Sequence, residues 1–526
     1  MCISQEIFDD ASDLCLEEAL KGGEKEQWSE AVKEELSCFQ ENNAWSLVDM
    51  PSKGETIVKC KWVLRKKLDN NSNVRYRARL VAKGYMQKQN VDYSDIFSPV
   101  VRHSTLRLMF ALSVKLGLDV MHLDVKTAFL NGDLEETIYM EIPEGLPISE
   151  NNKNKVLKLN RAIYGLKQSS RAWYRKVDEC LISSGYKRSK LEPCLYIKNN
   201  GNLKTFVTLY VDDFFVFTND NVEFDCLKRM LTSKFQIKDL GQVKNCLGMN
   251  VNINKVNGSV TLSQENYIDQ LLKRFNMTNC KTVDTPVEPK LTVNLDNKNC
   301  DSQIPYQQLI GGLMYLAVLT RPDIAYSVSF LSQFNNCYNN ETWAYAKRIL
   351  KYLKKTKNFG LKYTKNGNSE LEGFVDADWG NNVIDRKSYT GLCFTLAGSV
   401  VCWEAKKQKT VALSSTEAEY MSIALACKEA LYLHNLLKEI VGESYTITLF
   451  NDNQGALKLA SSNSFNKRTK HIDIRYRFCI ECVVNKLVNL KYLKTAEMPA
   501  DLFTKGLGGT KHYYLLKLLG IQDVMC

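Results

Sequence analysis

The sequence predicts a multidomain protein of mixed α/β and α+β architecture, and three observations carry that expectation. At 526 residues the chain exceeds a single ordinary core, since cores stop growing at roughly 250 to 300 residues. Segments of helical period alternate with short strand-like runs along its length. Beyond two helix-period segments, a new strand-rich region opens near Leu371.

A composition of 44% hydrophobic and 25% charged residues is that of a folded globular protein and argues against a disordered chain. The formal charge of +11 suits a polyanionic partner without requiring one. Seventeen cysteines without repeated spacing, and no apolar leader, point to free thiols in a reducing, intracellular and cytoplasmic setting. The CxxC pair Cys479 and Cys482 lacks a second pair or a histidine, so it reads as one face of a helix. No apolar run approaches the 18 or so residues of a membrane span, so no membrane partner is expected.

In chain order, 14–42 reads as an amphipathic helix with Trp28, Val32 and Leu36 at spacings of four. The basic stretch 56–86 reads as a hairpin turning at Asp69, Asn70 and Asn71. A helix over 106–118 precedes a strand ending at Asp124, and another helix spans 171–184. A second hairpin is written in TFVTLYVDDFFVFTND, followed by β-rich runs to about Pro286. Helices over 306–334 and 342–355 then lead to the strand-rich C-terminal region.

Asp212 and Asp213 interrupt the otherwise apolar second hairpin. Buried like charges raise one another's pKa or bind a cation, and oxygen ligands favour a hard divalent ion. A water-exposed turn is the alternative. The third carboxylate, Asp124, ends a strand 88 positions earlier. Such a trio fits two Mg²⁺ (or Mn²⁺) ions about 3.5 to 4 Å apart, one activating a 3′-hydroxyl and one stabilising the leaving pyrophosphate.

Tyr210-Val211-Asp212-Asp213 is the YVDD box of reverse transcriptases, and the ordered segments KWVLRKKLDNNSNVRYRARLVAKGY, LDVKTAFLNGDLEE, AIYGLKQSSRAWY, LYVDD and TRPDIAYSV resemble the copia-type LTR retrotransposon Pol polyprotein over nearly the whole chain. The resemblance implies a metal-binding triad of Asp124, Asp212 and Asp213. It implies that Phe129 excludes a 2′-hydroxyl, that Gln168 contacts the incoming nucleotide, and that Leu247-Gly248 grips the primer strand. Arg77, Arg79 and Lys83 are candidates for holding the triphosphate.

The C-terminal region repeats this logic with Asp376 at a strand end, Glu419 near the start of a helix capped by Ser414 and Glu417, Asp452 after a strand, and Asp501 in AEMPADLFTK. Asp378 competes for the first position, but Asp376 extends the strand and Trp379 suggests a turn. The order Asp, Glu, Asp, Asp, with SSTEAEY, NDNQGA and KRTKHIDIRY, resembles RNase H, implying a second two-ion site with water as nucleophile. His471 would shuttle a proton or touch phosphate.

The resemblance thus implies a right-hand polymerase (fingers, palm, thumb) followed by an RNase H-like mixed-sheet domain. Its parts are an N-terminal helical extension (1–49), fingers and palm (50–290), thumb-like and connecting helices (291–370) and the RNase H-like domain (371–526). The expected cofactor is Mg²⁺ or Mn²⁺, two ions per active site. Expected partners are an RNA template, a DNA or RNA primer, dNTPs and the RNA–DNA hybrid. An RNA-dependent RNA polymerase and an inactive or host-recruited nucleic-acid-binding remnant are the alternatives. No capsid, protease or integrase segment is seen, so the chain is expected to be part of a larger system.

Overall fold

The computed structural model describes residues 14–52, 54–68, 74–149, 152, 154–289, 291, 293, 303–380, 385–442, 446–461 and 473–525. They fall into two compact units: Met1–Val101 with Met121–Gly241, and Arg102–Val120 with Gln242–Cys526. Neither unit is one continuous stretch of chain.

In the first unit the amphipathic N-terminal segment is two helices, Leu16–Lys21 and Lys25–Glu41, because Gly22 and Gly23 fall between them. Trp28, Val32 and Leu36 pack on Leu64 and Ala78 of the basic hairpin, whose strands are Cys60–Leu68 and Val74–Ala82. Its expected turn at Asp69, Asn70 and Asn71 lies outside the described residues. Glu24 accepts from Lys66 at 2.6 Å and Tyr76 at 2.8 Å, and Glu35 accepts from the Leu80 amide at 3.1 Å. The helix therefore braces the projection with charge as well as apolar contact.

The hairpin carrying Asp212 sits in a six-stranded sheet of order Ile237–Gln242, Asp119–Val125, Asp213–Thr218, Leu203–Tyr210, Leu195–Asn200, Lys187–Arg188. This order sets the Asp124 strand directly beside the Asp213 strand. The β-rich reading up to Pro286 missed two helices, Asn221–Lys234 and Glu265–Arg274. The first is capped by Asp220, which accepts from the Val222 and Glu223 amides, and buries Phe224, Leu227 and Leu231.

The second unit has two five-stranded sheets. One is antiparallel, running Asn245–Cys246, Met249–Asn254, Ser259–Ser263, Phe359–Thr364 and Ile521–Asp523. The other runs Ser399–Lys407, Tyr389–Leu396, Glu372–Ala377, Ile447–Asn451 and Val488–Tyr492, with the first three antiparallel and the last three parallel. It is the mixed sheet expected of the C-terminal region. The single helix expected over 306–334 is interrupted: Tyr306–Leu319 stops before Pro322, and Ala325–Ser332 follows. Proline disfavours helical geometry at the residue before it and lacks an amide to donate.

Every described cysteine is a free thiol. Cys479 and Cys482 are buried on the helix Asp473–Val484, where their thiols meet Cys427. Among the described residues, no helix is long and apolar enough to cross a membrane.

Candidate functional site

The first acidic site is built on a two-residue turn. Tyr210 pairs with Asp213, leaving Val211 and Asp212 between the strands. Val211 has φ +55°, a position that glycine ordinarily fills in such turns and that a β-branched residue adopts only when held. Two bonds hold it: the Trp173 indole donates to the Val211 carbonyl at 2.6 Å, and the Val125 amide donates to the Asp212 carbonyl at 3.0 Å. The second ties the turn to the strand carrying Asp124.

Burial, and then Asp213, push the Asp212 carboxyl up to about 6. The same two causes raise Asp124. Arg79 opposes the shift at Asp212; at Asp124 His122 opposes it first, then Arg77 of the basic hairpin and Lys238 of the strand Ile237–Gln242, so the hairpin's arginines act on both aspartates. Crowded, partly desolvated carboxylates of this kind fit a divalent cation. Among the described residues, however, only a C-terminal group brings three ligand atoms within 4.8 Å of one another. In the first site an Asp213 oxygen is instead held by His122, Nε2 to Oδ1 2.7 Å.

Phe129 meets Tyr164 edge to face at 5.0 Å, and the Arg79 guanidinium lies over the Tyr164 ring, 4.8 Å from its centroid. Tyr164 thus joins two of the expected nucleotide residues, a link invisible in the sequence. Its backbone is clamped: the Ala82 amide donates to its carbonyl at 2.8 Å. Gly165 follows at φ +95°, where a Cβ would stand 2.1 Å from the Ala82 carbonyl oxygen. Lys83 lies just past the hairpin, half-buried, with its amide donating to the Lys59 carbonyl at 2.7 Å.

Gln168 departs from expectation. It is buried, and its amide accepts from Gln87 at 3.0 Å and donates to the Asp92 carbonyl at 2.8 Å and to Glu136 at 3.2 Å. Buried and bonded on both its oxygen and its nitrogen, this amide pins the surrounding loops together. Leu247 and Gly248 form a turn with φ of +50° and +79°, and the Tyr315 hydroxyl donates to the Leu247 carbonyl at 2.8 Å.

The second site gathers Asp376, Glu419 and Asp452 within that 4.8 Å separation. Asp376 is the penultimate residue of the strand Glu372–Ala377, Asp452 directly follows the strand Ile447–Asn451, and Glu419 comes from the first turns of the helix Ser415–Val441. Ser414 caps that helix by accepting from the Glu417 amide at 3.2 Å, while Glu417 reaches back to the Leu413 amide at 2.9 Å. Asn451 donates to Glu419 at 2.9 Å and to the Val375 carbonyl at 3.0 Å, tying the helix to the sheet. Thr504 donates to Asp376 and Thr495 to Asp452, each at 2.6 Å. Burial first, and Asp376 second, push Glu419 up to about 9. Hard oxygen donors crowded against such repulsion fit a cation.

Asp378 is not in this group; its side chain accepts from the Tyr389 amide. Asp501 departs from the expected ligand set: it is fully buried and ion-paired to both Lys505 and Lys511. Lys511 donates to one Asp501 oxygen, and Lys505 lies at ion-pair distance from the other, which is buried and accepts no hydrogen bond among the described residues. The i,i+4 spacing of Asp501 and Lys505 was the available signal. His471 lies outside the described residues.

A family model described as reverse transcriptase (RNA-dependent DNA polymerase) matches residues 42–289. The retrovirus-related Pol polyprotein from transposon TNT 1-94 of Nicotiana tabacum is 40% identical over 98% of this chain and 39% of its own length. A transposon Ty5-1 protein of Saccharomyces cerevisiae is 34% identical over 57% of this chain and 97% of its own. Among solved structures, a foamy viral protease-reverse transcriptase in complex with double-stranded DNA matches 89% of this chain and 69% of that one, at TM-score 0.49 and 12% identity. The chain spans well under half the length of the polyproteins that it matches from end to end. With the reverse-transcriptase match over the first acidic site and transposon relatives along its length, the chain belongs to the copia-type retrotransposon Pol family and carries its reverse transcriptase domain.

Proposed function

We propose that this chain copies an RNA template into DNA and cleaves the RNA strand of the resulting hybrid. The observation that carries the reading is the strained Val211-Asp212 turn, bonded to the Asp124 strand and faced by Arg77 and Arg79. Asp124, Asp212 and Asp213 would hold the divalent ions of the polymerase site, two Mg²⁺ or Mn²⁺. Asp376, Glu419 and Asp452 would hold metal at the nuclease site. When bound, such ions make a hydroxyl or water nucleophilic and stabilise charge on the leaving oxygen.

The chain's own residues do the rest. Arg77 and Arg79, whose charges act on the aspartates, suit a triphosphate, with Lys83 just past the same hairpin. Phe129, fixed by Tyr164, offers a rigid edge against a 2′-hydroxyl. In the C-terminal site Asn451 keeps Glu419 aimed at Asp376, and Thr504 and Thr495 orient the two aspartates. Hybrid recognition would rest on phosphates and 2′-hydroxyls, with little sequence preference and strong salt dependence.

The test is primer extension on an RNA template by the full chain with Mg²⁺, offering dNTPs and NTPs separately. Extension with dNTPs that is lost in Asp212→Asn supports the polymerase. RNA cleavage lost in Glu419→Gln, with extension retained, supports the nuclease. Nucleic-acid binding without Asp212-dependent extension would identify a remnant that kept only its fold.

A further inference from the structure

The C-terminal acidic site contains two built-in cations. Lys505 Nζ lies 2.5 Å from Asp501 Oδ1 and 3.4 Å from Asp376 Oδ2, so one ammonium spans two carboxylates. Lys511 takes the other Asp501 oxygen and also donates to the Thr495 carbonyl at 3.1 Å. Thr495 in turn donates to Asp452. Lys511 is anchored by its neighbour His512, which is buried and bonded to the Tyr352 hydroxyl at 2.9 Å.

We propose that Lys505 stands where a second metal ion would bridge Asp376 and Asp501, so that this site takes up a single divalent ion, on Asp376, Glu419 and Asp452. Asp501 is then the counter-ion of Lys505 and Lys511, not a metal ligand. The inference rests on reading the cluster as a metal site and departs from the two-ion expectation.

Charge supports it. Four carboxylates against two ammoniums leave a formal charge of −2, which one divalent ion cancels. A second ion would leave a site with Asp376, Glu419 and Asp501 buried at net +2, and uncompensated buried charge is strongly unfavourable. A positioned ammonium can meet negative charge on a phosphate as a metal would, without needing to be bound from solution.

The experiment counts Mn²⁺ bound to the full chain by electron paramagnetic resonance, in an Asp124→Asn, Asp212→Asn background that silences the other site. The expected result is one ion per chain, a second ion appearing in Lys505→Gln, and one ion again in Lys505→Arg, which keeps the cation and controls for folding. Asp452→Asn should weaken the single ion by at least about tenfold. Two ions of comparable affinity with Lys505 in place, or one ion in Lys505→Gln, overturn the proposal alone. No uptake, or uptake indifferent to Asp376→Asn, overturns the metal reading and the proposal together.

Discussion

His122 holds Asp213: its Nε2 lies 2.7 Å from Oδ1, while its ring packs on Phe215 at 4.7 Å between centroids. The two residues sit on adjacent strands, so the imidazole fixes where the Asp213 carboxylate can point. His122→Leu is expected to raise the Mg²⁺ needed for half-maximal primer extension by on the order of tenfold, with little change in KM for dNTP. His122→Gln, which keeps an N–H donor, should recover most of the loss. A Mg²⁺ requirement unmoved in His122→Leu would refute the role.

The Val211 turn stores strain of roughly 1 to 3 kcal/mol. Val211→Gly relieves it, at a cost of about 0.5 to 1 kcal/mol in chain entropy. The melting temperature of the first unit should therefore hold or rise, while the extension rate falls as the aspartates lose their fixed tip. A clear drop in melting temperature would mean the turn is not strained.

Phe129 and Tyr164 brace each other, so Phe129→Val should open space beside the sugar. Discrimination for dNTPs over NTPs is expected to fall by roughly 10- to 200-fold, read as the ratio of kcat/KM values in single-nucleotide extension. Tyr164→Ala should move the ratio in the same direction by less. Unchanged discrimination in Phe129→Val would assign the ring to packing.

Arg107 is buried, and among the described residues its hydrogen bonds run to backbone carbonyls. It donates to the carbonyls of Val401 at 2.8 Å, Val318 at 2.7 Å and Leu319 at 3.0 Å, and lies 3.8 Å from the Trp403 ring centroid. Burial pulls its guanidinium down to about 10. Arg107→Met strands three acceptors and should destabilise the second unit by on the order of 3 kcal/mol or more. Lysine lacks the planar fork, so Arg107→Lys should not rescue it. Thermal unfolding of the variants decides the point.

Burial lowers both His103 and His512 to about 4 from an ordinary 6.5, with Arg107 adding to the effect at His103. Their folded values lie below the unfolded one, so the unfolded chain binds more protons between those limits. The stability they contribute is complete above about pH 6.5 and is lost as pH falls toward 4, on the order of 3 kcal/mol for each. The second unit should therefore melt progressively earlier over that range. His512→Gln should flatten the slope, and a slope identical to that of the unaltered chain would exclude His512 as its source.

Local order was legible wherever one period ruled a segment. The two apolar runs flanking Asp212 and Asp213 marked a hairpin, and the caps at Ser414 and Glu417 marked the helix bearing Glu419, because hydrogen bonding and burial there are decided by near neighbours. The helices Asn221–Lys234 and Glu265–Arg274 were passed over among short β-rich runs although Phe224, Leu227 and Leu231, and Tyr267, Ile268, Leu271 and Leu272, fall at helical spacing, and Pro322 broke a helix whose apolar pattern read straight through it.

By itself, then, the sequence determined which carboxylates exist, which elements carry them and which family they resemble. Tertiary structure alone decided how each is used. Gln168 became a buried pin, Asp213 was given to His122, and Asp501 was taken by Lys505 and Lys511. The closing strand Ile521–Asp523 likewise pairs with Phe359–Thr364, far away in the chain. A carboxylate's role depends on which opposite charge the fold brings within about 4 Å, and Coulomb energy follows separation in space and burial, neither of which is written in sequence spacing.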